Sequence, residues 1–334
     1  MSDFNYAAFF RRLQDLKQLQ IKAEDVSWIE EHQPPDRAYD TVLYLGCNIL
    51  RTPHIAKQVI DVFTHLGLDF IPVGGVQFCC GIVWDKFDGP KKGSEVSDRT
   101  VERLESYQPK QVVMWCPSCN VHFKDIVIGR DSRQPQFEIT HTPKFLAEMV
   151  QRGGLTWKQA VPGRVALHTH VGRTGHEEGQ RRARIDRESA AILLRSIPGI
   201  DLLDEIQSPS ELDYDCGAAS LRMPPKRFRE IRTELVHSLK ETSQAETLAT
   251  ISHACHREWC DIGNEHLKVR NYISIVAEAL GLETEHDQLG DFKKTTDLEE
   301  ILDRSRDAWE SHGLSREQAR ELASKYFADG AMAP

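Results

Sequence analysis

The chain has 334 residues, enough for two domains with sizeable cores, and its 40% hydrophobic and 28% charged content is ordinary for a soluble globular protein. A net charge of −9 argues against a nucleic-acid surface, which needs clustered positive charge. No apolar run approaches the length of about eighteen residues that a membrane span requires, and eight cysteines without an export signal point to the cytoplasm.

Residues 1–37 precede the first predicted strand. Phe9, Phe10, Leu13, Leu16 and Leu19 lie on a helical stripe, and Ser27 with Glu30 fits a capping box for a second short helix ending before Pro34-Pro35. This extension is expected to pack on the domain that follows, with a docking face for another protein of the same complex as the alternative.

Thr41–Leu45 (TVLYL) is short, apolar and β-branched, which predicts a buried strand, and Cys47 follows it. Thr52-Pro53 opens a helix with Ile55, Val59, Val62, Phe63 and Leu66 on one face and Gly67 as its stop. Asp69–Val73 is the second strand, with Cys79-Cys80-Gly81 in the loop beyond it. Lys91-Lys92, between Gly89 and Gly93, reads as a solvated loop, and Ser94–Tyr107 as a helix. Gln111–Trp115 is the third strand, and Cys116-Pro117-Ser118-Cys119 begins where it ends. A polar stretch over 129–136 precedes an apolar helix near Pro143. Strands alternating with helices imply right-handed crossovers and a parallel sheet, whose strands share one carboxyl edge. All five cysteines are therefore expected to converge there, with Phe78, Trp84 and Trp115 as aromatic cover.

Converging thiolates select soft metals. Zinc is one candidate, although its closed tetrahedron leaves one of five cysteines over; an iron–sulfur cluster is the other, and the better match. A disulfide framework fits poorly with a chain lacking an export signal.

The spacing Cys-x31-Cys-Cys-Gly-x34-Cys-x2-Cys resembles the cysteine-rich "CCG" domain found in the B-type component of heterodisulfide reductase and in its relatives, including those of sulfur oxidation. The resemblance implies that Cys47, Cys79, Cys80, Cys116 and Cys119 bind a noncubane 4Fe-4S cluster. It also implies a subunit that passes electrons between flavin- or ferredoxin-type partners and a disulfide or sulfur-carrier substrate.

Residues 153–163 (GGLTWKQAVPG) form the expected boundary, after which the pattern recurs. Arg164–His168 is a strand, followed by a His170-Val171-Gly172-Arg173 run that resembles the family's Cys-His-x-Gly-Arg and puts Thr169 in the first cysteine's place. A helix near Glu178–Ile197, a strand at Ile200–Leu203, a helix from Pro225 to Leu239 and a strand at Thr247–Ser252 complete the second set. Thirty-eight residues separate Cys80 from Cys119, and thirty-eight separate Cys216 from Cys255. The chain thus reads as a duplication in which Asp215 corresponds to Cys79, Cys216 to Cys80, Ser252 to Cys116 and Cys255 to Cys119. His168, His253, His256 and Cys260 enrich this degenerate half. A candidate second site of Asp215, Cys216, His253 and Cys255 is expected to be empty, or to hold zinc or a different iron–sulfur cluster. Cys260 stands outside the motif and reads as a reactive thiol.

The expected organisation is an α/β chain of two pseudo-duplicated domains, each a small parallel sheet flanked by helices. The helical extension covers 1–37, the first domain 38–152, the second 160–284, and a helical tail that caps the second domain 285–334. The expected function is that of a heterodisulfide reductase-like oxidoreductase subunit. The alternatives are an electron-relay component of a lactate- or glycolate-type oxidase and a metal-bound scaffold. No nucleotide fingerprint is present, so hydride cofactors are expected on a partner.

Overall fold

Asn5 caps the first helix, α1 (Tyr6–Gln18), by accepting from the Ala8 N–H at 2.9 Å, and the apolar stripe then buries Leu13 and Leu16. The computed structural model describes residues 4–26, 29, 35–130, 134–169, 177–203, 206–207, 223–239, 244–295 and 297–328. It divides into two units, Met1–Thr142 with Asp297–Tyr326, and Pro143–Thr296 with Phe327–Pro334. The Ser27–Glu30 capping box lies outside the described residues.

In the first unit, β1 (Thr41–Gly46) is buried along its whole length, as its uninterrupted apolar run requires. It leads through α2 (Pro53–His65) to β2 (Phe70–Gly74), then through α3 (Ile82–Asp88) and α4 (Pro90–Ser106) to β3 (Gln111–Met114). A short helix, α5 (Pro117–His122), passes into a π-helical stretch, Phe123–Arg130, before β4 (Glu138–His141). All pairings are parallel, in the order β2-β1-β3-β4.

α6 (Thr142–Gln151) leads into the second unit. There β5 (Gly163–Thr169), α7 (Glu177–Ser196), β6 (Ile200–Leu202), β7 (Ile206–Gln207), α8 (Pro225–His237), β8 (Thr247–Thr250), α9 (His253–Trp259) and β9 (Lys268–Asn271) follow. The order β6-β5-β8-β9 is again all parallel, with β7 extending the pairing of β5. The fold class is therefore the expected one, two small parallel sheets of the same order flanked by helices. The repeat extends to single contacts. His141, ending β4, sets its ring Nε2 3.1 Å from Trp115 O, and Asn271, ending β9, donates its side-chain amide to Ile251 O at 3.3 Å.

Three local expectations are corrected. A fourth strand in each half went unpredicted, because EITH and KVRN are four residues long and bury fully only the last. Lys91-Lys92 lie inside α4, which starts at Pro90, and Lys92 pairs with Glu95 at 3.0 Å. Gly93 is not a breaker there: a Cβ would meet the Asp85 backbone of α3 at 2.8 Å, so glycine is what lets the two helices approach.

The third correction concerns the tail. After α10 (Tyr272–Ala279) and α11 (Gln288–Lys294), the helices α12 (Leu298–Arg304), α13 (Arg306–Ser311) and α14 (Arg316–Phe327) pack in the first unit rather than capping the second. Tyr326 donates to Asp15 at 2.7 Å, and the Ala23 N–H donates to Ser311 Oγ at 2.9 Å. A buried stripe of Ala319, Ala323 and Tyr326 on α14 supplies the apolar face.

Trp259 is fully buried among Phe228, Ile231, Leu248, Cys255 and Leu267 in the second unit's core. Trp259→Ala is expected to cost about 3–5 kcal/mol, read as a lower urea midpoint for that unit.

Candidate metal centre

Each cysteine of the first half sits where a strand has just ended. Cys47 follows β1 and begins a 3-10 turn, Asn48–Arg51. Cys79 closes the turn Val76–Phe78 beyond β2. Cys116 is the residue before α5, extended at φ −81° and ψ 118°, and Cys119 lies in the first turn of that helix. All five are between 1% and 7% exposed. The sulfurs fall into two hydrogen-bonded sets, Cys47 with Cys79, and Cys119 with Cys116 and Cys80.

The electrostatics follow from that crowding. The hydrogen bond with Cys79, then burial, then neighbouring thiolates push the Cys47 thiol well above its ordinary range. Hydrogen bonds to Cys116 and Cys80, with burial, do the same to Cys119. Cys79 moves down, because it accepts from Cys47 and from the Gly81 N–H and lies near Arg99. Burial and the surrounding sulfurs keep the Tyr44 phenol protonated.

The loop carrying the cysteine pair is held by side chains that the sequence pattern does not single out. Gln77 O accepts from Arg103, Phe78 O from the Tyr44 hydroxyl, Cys79 O from Thr100 Oγ1 at 2.6 Å, and Cys80 O from Ser97 Oγ at 2.9 Å. Ser97, Thr100 and Arg103 are spaced three apart, so they share one face of α4. That spacing is visible in the sequence, but buried hydroxyls amid Val96, Val101 and Leu104 carry no sign of what they bond. Gly81 completes the loop. Its φ of +89° is left-handed, and a Cβ would meet Gly93 O at 2.5 Å.

Of the aromatic cover, Phe78 and Trp115 are buried, and Phe78 packs with Cys80, Cys116 and Cys119. Trp84 is partly buried against the group containing Cys47 and Cys79, and Tyr6 stacks on it at 3.7 Å.

In the second half, His170, Asp215 and Cys216 lie outside the described residues. His253 and Cys255 both fall on α9 and are buried, as are His168, His256 and Cys260. Ser252, at the place of Cys116, is an ordinary helix cap, its Oγ accepting from the Ala254 N–H at 3.1 Å. His256 is engaged by Asp287, Nε2 to Oδ2 2.8 Å. Two readings are corrected. Tyr44 pairs with Met114, and His168 with Thr250, so Thr169 corresponds to Leu45 inside the strand rather than to Cys47 beyond it. β5 continues that far because β7 pairs with Thr169. Cys260 is not a reactive thiol: it is 3% exposed, burial pushes its thiol well up, and its Sγ lies 3.6 Å from Arg257 O.

Residues 41–124 match the cysteine-rich domain family designated CCG, and they contain all five cysteines of the first half. Beyond that domain, the chain is similar to the D component of the dihydromethanophenazine:CoB–CoM heterodisulfide reductase of Methanosarcina barkeri, 25% identical over 273 residues, covering 78% of this chain and 63% of the relative. The Methanosarcina mazei protein of the same name is 25% identical over 276 residues with the same coverage, and that of Methanosarcina acetivorans 24% identical over 278 residues. The chain thus spans 63–64% of the length of these relatives.

Gly81→Ala is expected to destabilise the first unit by more than the roughly 1–2 kcal/mol of a left-handed residue, because the Cβ also strikes a carbonyl; a urea titration followed by circular dichroism measures it. In the native protein Cys260 is expected to resist iodoacetamide and to react only after unfolding, as peptide mass analysis would reveal.

Proposed function

We propose that the chain is an iron–sulfur redox subunit of heterodisulfide reductase type, which exchanges electrons between a partner complex and a thiol/disulfide sulfur substrate. The observation that carries this reading is five buried cysteines delivered to one sheet edge, where Cys47 hydrogen-bonds Cys79 and Cys119 hydrogen-bonds Cys116 and Cys80. Five bare thiolates cannot share a dry pocket, and their softness matches iron. Cys47, Cys79, Cys80, Cys116 and Cys119 would hold the cluster, of the noncubane 4Fe-4S kind that the resemblance to CCG domains implies. When bound, it supplies one-electron transfer and an iron site for substrate sulfur.

The chain's own residues prepare the place for it. Phe78 and Trp115 exclude water, and the neutral phenol of Tyr44 adds no further negative charge beneath the thiols. Arg99 lies close enough to favour the anionic form of Cys79. Flavin- or ferredoxin-type subunits would supply the electrons. Reduced thiols suit a cytoplasmic setting, and no helix among the described residues is long and apolar enough to cross a membrane. The second half, with Asp215, Cys216, His253 and Cys255, is either an empty pocket or one mixed-ligand centre of zinc or iron–sulfur type. Exposure of no more than 7% at any of the five cysteines favours a second reading, an electron relay of the lactate- or glycolate-oxidase kind that binds no substrate.

Protein purified without oxygen is expected to contain iron and acid-labile sulfide. Cys79→Ser or Cys80→Ser should remove them, whereas Cys260→Ser should leave them unchanged. Iron content indifferent to both first-half substitutions would sink the assignment.

A further inference from the structure

We infer that Ser97 and Thr100 are positioning residues for the Cys79-Cys80 pair, their two hydroxyls fixing successive carbonyls and with them the directions in which the two sulfurs leave the backbone. The inference rests on the cluster reading. Two adjacent ligands pose a particular difficulty. Together with the plane before Cys79, whose Phe78 carbonyl accepts from Tyr44, the peptide plane between Cys79 and Cys80 and the plane after Cys80 set the directions in which both side chains leave the backbone. The chain passes from extended at Cys79, φ −65° and ψ 129°, to left-handed at Gly81, φ +89° and ψ −11°, so no helix or strand can hold either plane. No backbone N–H among the described residues donates to either carbonyl. Thr100 Oγ1 reaches Cys79 O at 2.6 Å, and Ser97 Oγ reaches Cys80 O at 2.9 Å.

Both hydroxyls are fully buried, at 2% and 0% exposure, on a helix rigidly placed against α3. Ser97 is itself oriented. Its Oγ lies 3.1 Å from His122 Nε2 and 2.9 Å from Gly93 O. A hydroxyl has one proton, so while that proton serves a carbonyl, the His122 N–H donates to the oxygen. His122 ends α5, the helix that carries Cys119. One chain of hydrogen bonds therefore runs from the helix of the Cys-x-x-Cys pair to the backbone of the adjacent pair.

The duplication supplies an independent comparison. The equal spacing of Cys80–Cys119 and Cys216–Cys255 puts Thr233 at the place of Ser97 and Val236 at the place of Thr100. Thr233 is exposed and donates to Arg229 O of its own helix at 3.0 Å, and valine has no donor. In the half that has lost three of five cysteines, one of the two hydroxyls is replaced by valine and the other bonds within its own helix.

The test compares wild-type protein, Thr100→Val, Ser97→Ala, the rescue Thr100→Ser and the control Thr233→Val, all purified without oxygen. Iron release to a chelator and the EPR spectrum are read, alongside thermal unfolding. Thr100→Val should still fold and bind iron, but lose it about tenfold faster, the scale set by one buried carbonyl left without its donor, with an altered EPR spectrum. Ser97→Ala should act in the same direction, Thr100→Ser should restore both readouts, and Thr233→Val should change neither. If wild type holds iron and the two variants match it in release and spectrum, or differ only in melting temperature, the inference fails alone. If wild type holds no iron, the cluster reading fails and takes the inference with it.

Discussion

Parallel pairing of β1 with both β2 and β3 is the constraint on which the first unit depends. Tyr44 lies in register with Val73 on one side and Met114 on the other, so three strands finish at one level. Cysteines separated in sequence by whole β-α units are thereby delivered to a single edge. A shift of this register would scatter them, and no local feature of the intervening helices could gather them again. Convergence then creates its own electrostatic difficulty. Two of the thiols are driven to stay protonated by their neighbours and by burial. Such a pocket is poorly suited to bare thiolates and well suited to a cationic core that takes up their charge.

Bringing the loop of Cys79-Cys80 to that edge buries backbone that most loops leave in water. Each buried carbonyl left without a partner would cost about 1–3 kcal/mol. The four successive carbonyls from Gln77 to Cys80 are instead satisfied by Arg103, Tyr44, Thr100 and Ser97. Three of those donors lie on one face of α4, so that helix does more than connect strands. Its apolar residues fill the core while its polar ones shape the loop. The absence of side chains at Gly81 and Gly93 lets α3 and α4 come close enough for the arrangement to close.

Much of this was legible in the sequence, for reasons that can be named. β1 and β3 are continuous apolar runs, and α2 carries its periodicity between a proline and a glycine, so each element declares itself. The duplication was legible because two spacings agree. What was not legible involved partners distant in sequence. β4 and β9 are half-polar edge strands whose pairing to β3 and β8 gives no local signal. Gly89 to Gly93 reads as a solvated loop because the reason for Gly93, the backbone of Asp85, lies on another helix. The tail's charged sequence said that it was helical and amphipathic, but not which unit it covers; contacts to Asp15 and Ala23 decide that. Cys260 looked reactive for want of a motif partner, whereas its reactivity is governed by burial.

Comparison of the two halves separates what the fold needs from what the site needs. Both keep the strand order, both keep a side chain at the end of the edge strand in contact with the carbonyl that follows the central strand, and both keep a buried cysteine in the helix after it. These features persist where the thiol set is incomplete, so they serve the scaffold. What differs is concentrated at the sheet edge. At the place of Cys116, which makes no capping bond, Ser252 caps α9 and so contributes local stability of about 0.5–2 kcal/mol. At the place of Thr100 stands Val236, whose side chain has no hydrogen-bond donor. A cysteine at a helix N-cap forgoes the stabilisation that serine provides. Its presence in the first half therefore needs a reason other than folding, and its hydrogen bond to Cys119 at the edge where the five cysteines gather supplies one.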